Sequence, residues 1–325
     1  MISTLKENKK NTYKLDPEIE EVFAEMANQK VAMPKPERGD WKTLRDNGNS
    51  GWKTWANAAP DYPDVKKKSF FTKTRDGASI ELRWYSKKGS KPGPAIVYAH
   101  GGGMILGSLD LYDFVVSEYA SKSAVPFLAV DYRLAPESKK TMLAEDIFSG
   151  ISWLITHSSE LEVDINRIAV MGDSGGGAPA AGAAIMARER QISLARQILI
   201  YPMLDDRNLT ADTFLLPFLT WTYDNNFTAW SAVLGTEIAT ETVSPIAAPA
   251  RLKNFTDLAP AYIEVGELDI FRDESIAYAS QLAKAGISVE LHVHAGAPHG
   301  YDRIASNAKL TERAMNDRIR VIQSI

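Results

Sequence analysis

Ile168-Ala169-Val170-Met171-Gly172-Asp173-Ser174-Gly175-Gly176-Gly177 is the most informative stretch of this chain. Four apolar residues run straight into a Gly-x-Ser-x-Gly string, and residues 177–190 then carry helical periodicity. The string reads as a sharp strand–turn–helix passage, with glycines two residues either side of the serine so that neighbouring backbone can pass close by. Such a turn presents the serine hydroxyl above a sheet, at the amino end of a helix whose free amides favour negative charge. A phosphate loop is excluded because no Gly-Lys-[Ser/Thr] follows, and the glycines do not fit the Gly-x-Gly-x-x-Gly of a dinucleotide site. Pro179 falls near the start of that helix, where proline is tolerated; deeper in it would cost about 3 kcal/mol.

The same rhythm extends on both sides. Short apolar runs at 95–99, 127–130, 168–171, 197–201, 261–265 and 289–293 alternate with helical patterns at 109–123, 142–157, 177–190 and 273–285, and a last helix is expected over 309–322. Continuous apolar strands separated by helices predict an α/β fold: a mostly parallel sheet covered on both faces. Ahead of it, 66–74 and 79–85 flank Arg75-Asp76-Gly77, and Ile80, Leu82 and Trp84 alternate with polar residues, the pattern of an antiparallel hairpin. Two zones lack this rhythm. Residues 1–60 hold a helical stripe over 16–27 and then Trp41, Trp52 and Trp55 among prolines, aromatics that need burial and so imply a covering segment. Between Tyr201 and Ala261 nearly sixty residues pass without a strand but with Phe214, Phe218, Trp221, Tyr223, Phe227 and Trp230, the look of an inserted lid.

Composition narrows the function. The 325 residues carry 37 Lys+Arg and 41 Asp+Glu, a formal charge of −4, and no long basic block, so nucleic acid is not the expected partner. With no cysteine, disulfides, thiolate nucleophiles and thiolate-bound metals are excluded. Met1 to Lys14 is polar and Lys-rich with no apolar core of a secretory signal, and no run approaches the ~20 apolar residues of a membrane span. A cytoplasmic protein is the expectation.

A serine needs a base to take its proton. Five histidines are available. His100 opens His100-Gly101-Gly102-Gly103 after strand 95–99, a loop of the kind that supplies N–H donors to an oxyanion hole. His157 ends a helix, and His292 and His294 alternate on one face of a strand with no evident third metal ligand. His299, in the loop after the last strand, is the candidate base. An imidazole in turn needs a carboxylate to fix its tautomer. After strand 261–265 come Glu267 and Asp269; Asp269 is preferred, Glu267 is the second candidate, and Asp273 and Glu274 read as first-turn helix acids. The resulting order, Ser174, Asp269, His299, is that of α/β-hydrolases and of neither chymotrypsin nor subtilisin.

With these strings, and with Asp131-Tyr132-Arg133-Leu134-Ala135-Pro136-Glu137, Tyr201-Pro202 and Ser244-Pro245, the chain resembles the hormone-sensitive-lipase-like carboxylesterases of the α/β-hydrolase fold over residues 94–301. The resemblance implies Ser174 as nucleophile, His299 as base and Asp269 as acid. It also implies an oxyanion hole from the amides of Gly102, Gly103 and Gly175, with Gly101 a further candidate. It implies a cap built from residues 1–60 and 203–245 over a catalytic domain of 61–202 and 246–325, homodimers through the last strand and helix, and neither metal nor cofactor. Where the family often has alanine after the nucleophile, this chain has Gly175, which predicts a more permissive loop.

Hydrolysis of small, fairly apolar carboxylic esters through an acyl-enzyme is therefore expected, with Phe214, Phe218 and Trp221 as candidates for the substrate pocket. Lactone, amide or carbamate cleavage and acyl transfer would use the same groups. A non-catalytic small-molecule receptor is the other class, which retention of His299 opposes.

Overall fold

The computed structural model describes residues 11–28 and 34–325, so the first ten positions of the covering segment, and 29–33 within it, lie outside the described residues. Eight strands form one sheet: β1 (Val65–Lys73), β2 (Ser79–Lys87), β3 (Gly93–Ala99), β4 (Phe127–Val130), β5 (Val163–Asp173), β6 (Arg196–Ile200), β7 (Ala261–Gly266) and β8 (Val289–His294). Their order is β1-β2-β4-β3-β5-β6-β7-β8. β1 and β2 pair antiparallel, β2 runs antiparallel to β4, and every later pairing is parallel. The Arg75-Asp76-Gly77 turn closes with the Gly77 amide donating to the Thr74 carbonyl at 2.9 Å, and Ile80, Leu82 and Trp84 all face inward. In the middle of the sheet, Ile96, Val97, Ile168, Val170, Ile198 and Ile263 are wholly buried, as continuous apolar strands covered on both faces require.

Helices α3 (Asp113–Ser123), α4 (Met142–Thr156), α5 (Gly177–Glu189), α7 (Arg272–Lys284) and α9 (Lys309–Gln323) flank the sheet, α3 packing on α9 and α4 on α5. The inner helix α5 is nearly all alanine and glycine, and residues 177–187 are buried throughout. A methyl on Gly182 would stand 2.2 Å from the Ile246 carbonyl oxygen, so small residues are what let this helix seat. Pro179 occupies the third position of α5, inside its first turn, where its missing N–H is least costly.

At the carboxyl rim lie α1 (Pro17–Asn28), α2 (Trp41–Ala58), α6 (Tyr223–Leu234) and the short α8 (Tyr301–Ile304). Asp40 caps α2 by accepting from the Thr43 amide at 3.0 Å, and Thr222 caps α6 by accepting from Asn225 at 3.1 Å. α2 packs on α6 and is fastened below: Arg45 forks onto Glu137 at 2.7 Å and donates to the Ala135 carbonyl at 2.6 Å. No helix among the described residues is long and apolar enough to cross a membrane.

One charged cluster ties the later elements together. Arg318 of α9, fully buried, donates to Glu264 of β7 at 3.0 Å, to Asp302 at 2.6 Å and to the Tyr119 hydroxyl of α3 at 3.0 Å. Tyr262 and Tyr301 donate to Glu264 at 2.7 and 2.9 Å, and Tyr201 donates to Asp302 at 2.9 Å. Burial opposes the charge on both carboxylates, yet the Arg318 guanidinium holds each below its ordinary range. Removing one partner of such a cluster strands buried charge. Arg318→Leu is expected to lower stability by about 3–5 kcal/mol, read as a lower urea midpoint; an unchanged midpoint would mean the cluster does not hold these elements together.

Candidate active site

Ser174 sits at the tip of the β5–α5 turn with φ +52°, a left-handed conformation that a residue with a Cβ adopts only when its surroundings enforce it. The enforcement is close backbone packing. A Cβ on Gly172 would meet the Gly176 carbonyl oxygen at 2.3 Å, and one on Gly176 would meet the Ala99 carbonyl oxygen at 2.2 Å. Gly175 faces the other glycine loop: its Cβ would stand 2.3 Å from the Gly103 nitrogen. Instead of loosening the turn, glycine at 175 lets the two loops touch backbone to backbone.

The three side chains singled out in the sequence meet here. Ser174 Oγ lies 2.8 Å from His299 Nε2, and His299 Nδ1 lies 2.6 Å from Asp269 Oδ2. Because a carboxylate can only accept, the proton rests on Nδ1 and Nε2 is left to receive the serine hydroxyl. Asp269 is fully buried, and its other oxygen accepts the Phe271 amide at 2.9 Å. The imidazole is boxed edge-on by Tyr201 at 4.9 Å and Phe271 at 5.0 Å. Its backbone carbonyl accepts from the Thr220 hydroxyl at 2.6 Å.

Glu267, the second candidate for the acid, instead accepts the Gly296 amide at 3.0 Å and fastens the loop that carries His299. Glu274 is no exposed helix acid. It is buried and accepts the Leu204 and Asp205 amides at 2.6 and 3.2 Å, while burial pushes its carboxyl well above the usual range. Asp273 stays exposed and pairs with Arg272.

The loop after β3 is braced from several sides. Tyr132 donates to the His100 carbonyl at 2.8 Å, and Asn49 of α2 accepts the Gly107 amide at 2.9 Å. His100 points Nδ1 at the Gly101 carbonyl, 2.7 Å away, and burial lowers its pKa to about 4, so it is neutral. The amides of Gly102 and Gly103 have no acceptor among the described residues, and both glycines line the same cavity as Ser174.

Above Ser174 is a cavity of about 300 Å³. Leu44, Trp52 and Trp55 of α2, Leu106, Trp221 and Ile304 make most of it apolar. Of the three aromatic candidates, Trp221 lines the cavity and lies 2.6 Å from where a Gly103 Cβ would be. Phe214 and Phe218 are not among its walls: Phe214 is tied outward, its amide on Asp212 and its carbonyl on Asn11. Trp52 and Trp55 carried a signal, being aromatics of the covering segment, whereas Tyr112, Tyr201 and Arg303 carried none that marked them as walls.

The other histidines lie elsewhere. His157 stacks on Trp153 at 4.0 Å. His292 sits with Glu290 and Asp317, both of which accept from Arg320, and His294 turns inward toward Glu264.

Residues 96–303 match the family model described as alpha/beta hydrolase fold. The chain is 31% identical over 278 residues to an ethyl acetate hydrolase of Pseudomonas putida, covering 82% of this chain and 83% of that protein. It is 37% identical over 216 residues to the carboxylesterase NlhH of Mycobacterium tuberculosis, covering 65% and 67%. Among solved structures, a bacterial heroin esterase superposes with a TM-score of 0.86 at 30% identity, over 96% of this chain and 98% of that one.

A methyl group at 175 must push the 102–104 loop aside. Gly175→Ala is expected to cost about 1–3 kcal/mol, seen as a lower thermal midpoint. It should also slow phosphonylation of Ser174 by an organophosphate about tenfold; an unchanged midpoint and rate would show that the loops are not in contact.

Proposed function

The chain belongs to the α/β-hydrolase family, and from that premise we propose that Ser174, His299 and Asp269 are the working groups of a serine carboxylesterase for small, fairly apolar esters. The observation that carries this reading is the relay of 2.8 and 2.6 Å from Ser174 through His299 to Asp269, opening beneath an apolar cavity of about 300 Å³. Ser174 Oγ attacks the ester carbonyl as its proton passes to His299 Nε2, and Asp269 stabilises the imidazolium that forms. Charge gathers on the carbonyl oxygen, where the amides of Gly102, Gly103 and Gly175 receive it; each such donor is worth about 2.7–4 kcal/mol in the transition state. The tetrahedral species expels the alkoxide, which takes the proton from His299 and leaves as alcohol. Water, deprotonated by the same nitrogen, then attacks the acyl-serine and releases the acid.

The rim segments are proposed as a cap, with α2 and the 220–225 stretch forming the walls over the serine. A homodimer is also proposed. Leu291 and Val293 stand exposed on β8, which has no strand on its outer side in the described sheet, and an unpaired apolar edge favours a second copy. Sedimentation should give twice the 35.8 kDa chain mass, reduced to one by Val293→Lys; a monomer at micromolar concentration would reject the dimer.

Turnover of p-nitrophenyl esters of short acids, with an organophosphate adduct mapped to Ser174, tests the enzyme reading. Asp269→Asn is expected to lower kcat by about 10⁴ while the fold is retained, because the imidazole loses the partner that sets its tautomer. Tight binding of a small molecule without turnover, or an adduct at any other residue, would overturn it.

A further inference from the structure

The cavity is not uniformly apolar. Tyr112, Asp173 and Arg303 are among the residues that line it, and none of them has a part in the relay. The Tyr112 ring is pinned between Trp52, 4.0 Å away, and His100, 5.2 Å away, so its hydroxyl is fixed in place. That hydroxyl lies beside the nucleophile. A Cβ on Gly101 would meet it at 2.6 Å and the Ser174 Cβ at 3.3 Å, so the glycine keeps open the gap between phenol and serine. The hydroxyl has no hydrogen-bond partner among the described residues.

Its neighbours are unsatisfied as well. Tyr98 donates to one oxygen of Asp173 at 2.7 Å, but Oδ1 is buried without a partner. Arg303 pairs with Glu118 through Nη1 and with Asp302 through Nη2, both at 3.4 Å, and its Nε is buried without a hydrogen-bond partner. A buried polar atom without a partner is costly, and the Tyr112 hydroxyl, unpaired beside Ser174 in the cavity wall, marks a place suited to a polar group. Burial, with Asp173 nearby, holds the Tyr112 phenol well above its usual range, so it remains a donor.

We propose that this place is a recognition subsite for a neutral oxygen-bearing substituent of the substrate, an ether, hydroxyl or carbonyl oxygen a few bonds from the scissile carbonyl. The proposal rests on the esterase reading above and names the substrate class within it. The Tyr112 hydroxyl, fixed beside Ser174 and without a protein acceptor among the described residues, offers a donor that an ether, hydroxyl or carbonyl oxygen can accept.

Two matched pairs test it on the intact protein. One is p-nitrophenyl methoxyacetate against p-nitrophenyl butanoate, with the oxygen in the acyl half. The other is 2-methoxyethyl butanoate against butyl butanoate, with the oxygen in the alcohol half. Each kcat/KM is divided by the rate constant for hydroxide-catalysed hydrolysis. The expected result is a preference of about tenfold for the oxygen-bearing member of one pair, which falls toward one in Tyr112→Phe. Using the ratio within each protein cancels any general loss of activity in the variant. Ratios near one in both pairs for the natural protein, or a ratio unchanged by Tyr112→Phe, would overturn the subsite. Should the variant not fold, the ratios of the natural protein decide. Failure of the esterase reading looks different: the butanoates themselves would not turn over.

Discussion

Backbone contact between two glycine-bearing loops is the constraint on which the site depends. The turn after β5 approaches the end of β3 and the loop after it so closely that a methyl on Gly175 would stand 2.3 Å from the Gly103 nitrogen and one on Gly176 2.2 Å from the Ala99 carbonyl oxygen. That approach accompanies the φ of +52° at Ser174 and places Gly102 and Gly103 in the same cavity wall as its hydroxyl. Hydroxyl and amides thus share one rigid frame, set by parallel strands β3 and β5 lying side by side with Ala99 opposite Gly172. In the proposed mechanism such preorganised donors would need no rearrangement as charge develops, a use for the strain at Ser174.

His299 is positioned differently, by side chains from distant parts of the chain. Its loop is held at one end by Glu267 and at the other by Thr220, and its ring rests against Tyr201. Tyr201 is in turn fixed through Asp302 to Arg318, so the last helix reaches the site through a chain of hydrogen bonds. Paired and fully buried, this cluster specifies one arrangement of β7, α3, α8 and α9 more than it adds net stability.

Much of this was legible in the sequence, for physical reasons. Apolar runs of strand length between helical periodicities can bury themselves only in a covered parallel sheet, and the strands lie where those runs are. Ser174, Asp269 and His299 could be picked because each follows a strand at the carboxyl rim, where topology brings loops together. What stayed hidden depends on partners far off in the chain. Glu274 looks like a helix-start acid until its amide partners, some seventy residues earlier, are seen. Glu264 did leave a trace, a charge inside an apolar strand, but nothing local pointed to Arg318. The choice among Phe214, Phe218 and Trp221 needed the path of an irregular segment, which has no periodicity to read.

The cover and the reaction centre are one structure. α2 supplies Leu44, Trp52 and Trp55 to the cavity wall, and the same helix accepts the Gly107 amide through Asn49 and clamps Glu137 and the Ala135 carbonyl through Arg45. A helix tied at these points cannot swing wide without disturbing the glycine loop below it. Access is then left to smaller features. Gly51, inside α2 and facing open space at the cavity mouth, costs helix stability relative to alanine by about 1 kcal/mol. No packing contact explains a glycine there.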